Sequence, residues 1–285
     1  MILVFGKTGQ VGKELQSLEE VISLDRSQAD LQNSKTCSEV INTYKPHAVI
    51  NAAAYTAVDK AEDQEELATL INCYAPAEMA KACKGMKIPF IHLSTDYIYS
   101  GKGNVSFKPS DNGDPQNAYG RSKLLGEKAI LKSDVIYAIL RISWIISAHG
   151  NNFVKTMLNL SETHKRLNVV SDQIGGPTPA KDVAKACITI AKQLIDDPSK
   201  SGIYNFSGAP EVSWCNFANA IFNKAGRKTI VIPTLTSNYP TLAKRPLNSR
   251  LDYSLTKNTF KIKRPNWEDG LEEILKDLGA RNDRS

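Results

Sequence analysis

Ile2-Leu3-Val4-Phe5-Gly6-Lys7-Thr8-Gly9-Gln10-Val11-Gly12 is the stretch on which the fold turns: an apolar run, then a glycine at every third position, then a helical pattern. An uninterrupted apolar run suits a strand covered on both faces. The G-x-x-G-x-x-G spacing suits a loop where backbone approaches a pyrophosphate and a helix N-terminus offers it unpaired N–H groups. A side chain at Gly9 would hold the phosphate off, and Gly12 would let the helix pack on the strand, with Gln10 and Val11 in the binding turn. The spacing departs from G-x-G-x-x-G, so a tight strand-to-helix turn without a ligand remains an alternative for these residues alone.

Outward from this loop the first half alternates. Strands are predicted at Ile2–Phe5, Val21–Asp25, Ala48–Ala54, Pro89–Thr95 and Ile136–Ser143. Helical spacing marks Val11–Leu18, Lys35–Tyr44, Glu65–Lys84 and Tyr119–Lys132. Strands apolar on both faces and separated by helices predict an α/β fold, a doubly wound Rossmann-type parallel sheet with ligands at its carboxyl edge. Past about residue 145, Gly/Pro punctuation at 175–179, 208–210 and 244–246 breaks the chain into short pieces. The expected organisation is a dinucleotide-binding domain over 1–144 and a smaller C-terminal substrate-binding lobe over 145–285, some of whose segments return to the sheet. The final residues, 281–285, read as a frayed tail.

Composition narrows the function classes. The formal net charge is +6, with Lys and Arg spread out rather than in blocks, so nucleic-acid binding is not expected. A mildly basic surface suits a small polyanion. Apolar runs such as Ala48–Tyr55 fall far short of the roughly 20 residues of a spanning helix, so no membrane partner is expected either. The start of the chain has no secretory pattern, which makes the cytoplasm the expected location. Five scattered cysteines without a C-x-x-C pair read as reduced thiols, and four histidines (His47, His92, His149, His164) without ligand spacing read as structural or solvated.

Context strengthens the glycine loop. Asp25, ending the second strand, can accept the adenosine ribose hydroxyls. Arg26, next to it, could offset its repulsion of a 2′-phosphate, which leaves NADH and NADPH both open. Asp30 can meet the adenine amino group while Leu31 packs on the ring, although Asp30 also suits a turn or helix start. Ala52, Ala53 and Ala54, with Tyr55 and Thr56 after them, would let a dinucleotide lie against backbone; alanines packed under a helix would look the same.

The chemistry rests on two elements. Tyr119 and Lys123 stand four residues apart, one helical turn along one face. A nearby ammonium would lower the phenol pKa from about 10 and make it a usable acid, and the same lysine could bond a nicotinamide ribose. Alone, such a pair also fits an ordinary amphipathic helix. The second element, Ser94-Thr95-Asp96-Tyr97, ends the fourth strand; there the Thr95 hydroxyl can polarise a ketone or orient the phenol, unless it is only a cap or turn.

On these residues the chain resembles the extended short-chain dehydrogenase/reductase superfamily and, within it, the dTDP-4-dehydrorhamnose reductase family. The matching stretches include GKTGQVG (6–12), VINAAAYTAVDKAE (49–62), STDYIY (94–99), NAYGRSKLLGE (117–127), RISW (141–144), GNNFVKTML (150–158), DQIGGPT (172–178) and RPLNSRLD (245–252). The resemblance implies NADPH or NADH as cofactor and a sugar nucleotide as substrate, whose C4 ketone is reduced: nicotinamide supplies hydride, Tyr119 the proton, Lys123 tunes it and Thr95 assists. It also implies that Thr95, Asp96 and Trp144 contact the substrate. Arg245 is a fitting diphosphate partner, since a guanidinium fork suits phosphate. Trp144 would equally suit the core, and Arg245 a rim.

Some relatives are implied to be homodimers bridged by Mg2+. Glu14 matches one acidic ligand, but Lys181 stands at the second, with Asp182 beside it, so no metal residues are assigned. Two other functions stay open. A sugar-nucleotide epimerase or dehydratase is one, although Tyr97 stands where a dehydratase would carry Glu. A regulatory subunit without catalysis is the other.

Overall fold

The computed structural model describes residues 1–18 and 21–280, so the expected tail at 281–285 lies outside the described residues. Strands β1 (Ile2–Phe5), β2 (Val21–Leu24), β3 (Ala48–Asn51), β4 (Phe90–Thr95) and β5 (Tyr137–Ile142) join a further strand, Gly202–Phe206, in one parallel sheet. Its order is β2-β1-β3-β4-β5 with Gly202–Phe206 outermost. β1, β3 and β4 are buried throughout.

Helices α1 (Gln10–Gln16), α2 (Ser34–Tyr44), α3 (Glu65–Thr69), α4 (Ala75–Met86) and α5 (Ala118–Lys132) run between the strands. Val4, Ile50, Ile91 and Leu140 pack on one face against α1 and the Ala180–Asp196 helix; Leu3, Phe5, Val49 and Ile139 pack on the other against α2, α4 and Ile130 of α5. Both faces are covered, which is why these strands read as apolar runs. A third core, around Val154, Phe217, Trp267 and Leu271, belongs to the helices Phe153–Thr163, Trp214–Lys224 and Trp267–Asp277. Among the described residues no helix is long and apolar enough to cross a membrane, and all five cysteines are buried free thiols.

Two elements differ from the sequence reading by more than a shift of one or two residues at an end. The third strand was expected to reach Ala54 but stops at Asn51: Ala52 N–H makes a last bond to Phe5 O (3.0 Å), and the Asn51 side chain then takes Ala53 N–H (3.1 Å) and turns the chain out of the sheet. The helix expected over Glu65–Lys84 forms and runs on to Met86, but it widens into a π-type turn at Leu70–Tyr74. Pro76 has no N–H for the Asn72 carbonyl, so the regular ladder cannot pass. That carbonyl instead lies against Gly126 of α5, where an added Cβ would sit 2.1 Å from it.

Adjacent connections diverge between β1 and β3, the switch point at which such sheets form a ligand crevice. Gly6 (φ 102°) is pressed into it: a Cβ there would lie 2.7 Å from Ala52 C and Ala53 N.

Candidate active site

A cavity of about 690 Å³ opens at the switch point along the carboxyl edge of the sheet, a volume in the range of small-molecule sites. Its cofactor end is lined by Gly6, Gly9, Gln10, Val11, Ala52, Ala53, Ala54 and Thr56, and its far end by Thr95, Asp96, Tyr119, Lys123 and Trp144. Gly12, Asp25, Asp30, Leu31, Tyr55 and Arg245 lie outside that lining.

The glycine loop fits a dinucleotide by what it leaves open. No side chain caps α1 and no acid sits in its first turn, so its N–H groups have no local carboxylate to satisfy them. A Cβ on Gly9 would meet protein no closer than 3.4 Å, so the space kept clear is the cavity's own. Gly12, in α1, lies against the end of β1: its Cβ would fall 1.9 Å from Gly6 O, so only a bare position lets the helix come this close to the strand end. Gly12→Ala is therefore expected to lower stability by about 1–3 kcal/mol and to weaken dinucleotide binding, read by thermal melts and fluorescence titration. Gly85→Ala, where a Cβ meets nothing within 4 Å, is the control.

The adenosine-side candidates are committed to local structure. Asp25 Oδ1 accepts the Ser27 hydroxyl (2.6 Å) and N–H (2.9 Å), and these bonds hold its carboxyl below the usual range. Arg26 is tied to Asp30 (3.2 Å), so in this arrangement it is not turned to a 2′-phosphate; Asp30 also caps Gln32 N–H (3.0 Å). Leu31 is drawn into the sheet core rather than into the cavity. Tyr55 is clasped through its N–H and C=O by Asn72 (2.9 and 3.1 Å), whose amide also reaches Ser122 (2.9 Å).

At the chemical end α5 delivers the phenol. Asn117 caps its start through Gly120 N–H (2.8 Å), and Glu62 accepts Ala118 N–H (2.8 Å). Gly120 admits the Tyr97 carbonyl, which would stand 2.3 Å from any Cβ, so the first turn of α5 presses on the strand end carrying Thr95. Tyr119 meets Tyr97 edge-on (5.6 Å between ring centres). Burial pushes the Tyr119 phenol up to about 12, and the neighbouring Thr95 hydroxyl works against that rise. The Thr95 hydroxyl donates to Asp96 Oδ1 and accepts Tyr97 N–H, both at 3.2 Å. Burial raises the Asp96 carboxyl to about 6, offset in part by the hydroxyls of Ser249 and Thr95, and its Oδ2 has no hydrogen-bond partner.

Lys123 departs from the expected coupling. Its Nζ turns to β4, donating to Leu93 O (2.6 Å) and meeting His92 Nε2 (3.2 Å), and it does not lower the phenol pKa. Burial brings Lys123 itself down to about 8, with Glu127 pulling the other way.

Trp144 forms a cavity wall in a left-handed conformation (φ 47°), stacked on Trp214 at 3.5 Å between ring centres and seated on Gly175. Sequence reasoning missed Trp214, a cavity residue 70 positions away with no local signal, and Ser249, which acts on Asp96 from inside the RPLNSRLD stretch. Arg245 pairs with Asp59 (2.6 Å), leaving Nη1 buried and unbonded.

The donor set does not fit a bridging magnesium. In a second cavity of about 260 Å³ Lys181 Nζ bonds Glu273 (2.6 Å), and Glu273, then Glu14 and Asp277, raise its pKa. An ammonium cannot ligate a cation and repels one. Among the described residues no group of three or more acidic, His or Cys side chains is arranged for a metal. Melting temperature and sedimentation mass are expected to be the same in Mg2+ and in EDTA; a magnesium-dependent shift in either would contradict this.

The family model described as the RmlD substrate binding domain matches residues 1–280. A dTDP-4-dehydrorhamnose reductase of Aggregatibacter actinomycetemcomitans is 40% identical over 286 residues, covering 96% of this chain and 97% of its own. The crystal structure of a dTDP-4-dehydrorhamnose reductase of Clostridium acetobutylicum superposes with a TM-score of 0.91 at 36% identity, covering 98% of this chain and 99% of that one. That of the Bacillus anthracis dTDP-4-dehydrorhamnose reductase, in complex with NADP, gives 0.89 at 34%, covering 97% and 98%.

Proposed function

The chain belongs to the dTDP-4-dehydrorhamnose reductase family, and from that premise we propose that it reduces the C4 ketone of dTDP-4-dehydro-L-rhamnose to dTDP-L-rhamnose with NADPH or NADH. The observation that carries the reading is the meeting of Thr95, Tyr119 and Lys123, distant in sequence, in the cavity that also holds the glycine loop. When bound, the reduced dinucleotide supplies the hydride.

The chain's own residues do the rest. A phenol held up at about 12 keeps its proton at neutral pH and is the donor form needed to protonate the ketone oxygen. Thr95, whose hydroxyl lies beside that phenol, orients it. Asp96 Oδ2, buried and without a hydrogen-bond partner, is an acceptor for a sugar hydroxyl. Trp144 offers a flat wall to the sugar. Arg245 is the diphosphate partner through its unbonded Nη1. In this reading residues 1–144 hold mainly the dinucleotide, 145–285 mainly the sugar nucleotide, and the enzyme works in the cytoplasm. Tyr97, where a dehydratase would have an acid, disfavours elimination.

The test is loss of reduced-nicotinamide absorbance on adding dTDP-4-dehydrorhamnose, with a UDP-linked 4-keto sugar alongside. Turnover of the dTDP sugar is expected. Binding of the dinucleotide without turnover of either sugar would overturn the proposal.

A further inference from the structure

His92 stands behind Lys123 and has no part in the scheme above. It lies on β4, fully buried, with Nδ1 3.2 Å from Asn51 Nδ2 and Nε2 3.2 Å from Lys123 Nζ. Its neighbours fix its proton. Asn51 Oδ1 accepts Ala53 N–H at 3.1 Å, which sets the orientation of that amide and leaves Nδ2 to donate to His92 Nδ1. Burial holds His92 well below its ordinary pKa, so the ring is neutral. A neutral ring with a bare Nδ1 carries its proton on Nε2, facing the lysine. An ammonium there would set two donors against each other in a dry site, whereas a neutral amine accepts Nε2–H and donates to Leu93 O.

We propose that His92 is a positioning residue for Lys123: its Nε2–H docks the lysine on β4 as a neutral amine, and protonation of the lysine releases Nζ towards Tyr119, one turn back on α5. After Tyr119 gives its proton to the ketone oxygen, the phenolate takes a proton from the lysine ammonium. One N–H bond breaks, the phenol O–H re-forms, and the neutral amine returns to His92 until water supplies the next proton.

The other charged groups around Lys123 are few. Glu127 lies one turn on along α5 and favours the ammonium; Arg141 is beyond it and bonded to it. The turn after β4 brings Asp96 and Tyr97 to the Tyr119 end. Glu62 and Glu65, from the segment before α4, are engaged by Ala118 N–H and by Arg121 at the start of the helix. Cys73, in the π-type turn, is a buried thiol whose pKa burial raises. In α4, Glu78 and Lys84 are paired with Lys81 and Asp134.

The proposal rests on the reductase reading only for its kinetic arm. In the ligand-free wild type, 15N NMR of the histidine ring is expected to show the Nε2–H tautomer of His92; the Nδ1–H tautomer overturns the proposal without any variant. In protein carrying 13C-labelled lysine, with Lys123→Met for assignment, His92→Leu and His92→Gln are expected to move the Lys123 titration up by about one pH unit, a tenfold change. The alkaline fall of kcat should move with it. A titration that stays put or falls in both variants, with kcat simply reduced, would leave His92 a packing residue. Because the titration involves no turnover, failure of the reductase assay is separable from failure here.

Discussion

Tyr119→Phe is expected to lower turnover by about two to four powers of ten while dinucleotide binding stays within a small factor of wild type. The substitution removes one oxygen and keeps the ring that packs edge-on against Tyr97, so α5 and the cavity wall should hold. What disappears is the proton donor, together with the hydroxyl that stands beside Thr95. Thr95→Val is the companion: it leaves the donor but frees it to turn, and it removes one hydroxyl beside Asp96, so a smaller loss is expected. Stopped-flow absorbance with the dTDP sugar measures both, and fluorescence titration measures binding. Full activity in Tyr119→Phe would take the phenol out of the donor role. A parallel loss of binding and turnover would show that the substitution damages the site rather than the chemistry.

The parts of this arrangement that depend on local periodicity were legible in the sequence. Apolar runs marked the strands, because a strand covered on both faces has no polar side to alternate with. The glycine triad, Thr95 at a strand end and Tyr119 at a helix start could each be placed by counting from those strands. What escaped depends on partners far along the chain. Asn72 reaches Tyr55 and Ser122, 17 and 50 positions away, and its carbonyl lies where Pro76 cannot continue the ladder, so a periodic helix widens into a π-type turn there. Arg245 meets Asp59 across 186 positions, which no spacing rule foresees. For Lys123 the four-residue spacing gave the right helix face but not the direction of a long flexible side chain, which was decided by a carbonyl and an imidazole on β4.

Arg141→Leu is expected to cost about 3–5 kcal/mol of stability, because it strands a carboxylate in the core. Arg141 and Glu127 are 5% and 1% exposed and paired at 2.7 Å, so neither charge has water to fall back on. The pair is also a hub. Glu127 accepts the hydroxyl of Ser94, the residue before Thr95, and Arg141 donates to Tyr99 Oη (2.7 Å) and Pro109 O (2.9 Å). It thereby ties α5, two turns past Tyr119, to the ends of β4 and β5. Glu127→Leu should cost a similar amount, leaving the guanidinium unpaired. The double replacement Glu127→Leu/Arg141→Leu removes both charges and should recover much of the loss, since a desolvated pair gains little over apolar packing. Turnover should not recover with it: Ser94 loses its acceptor and Lys123 loses the one carboxylate that favours its ammonium. Denaturant midpoints on the three proteins, read beside kcat, separate the two effects. Single replacements costing less than about 1 kcal/mol, in the range of exposed pairs, would mean that water reaches the pair, and α5 would then need some other anchor to hold Tyr119 at the strand edge.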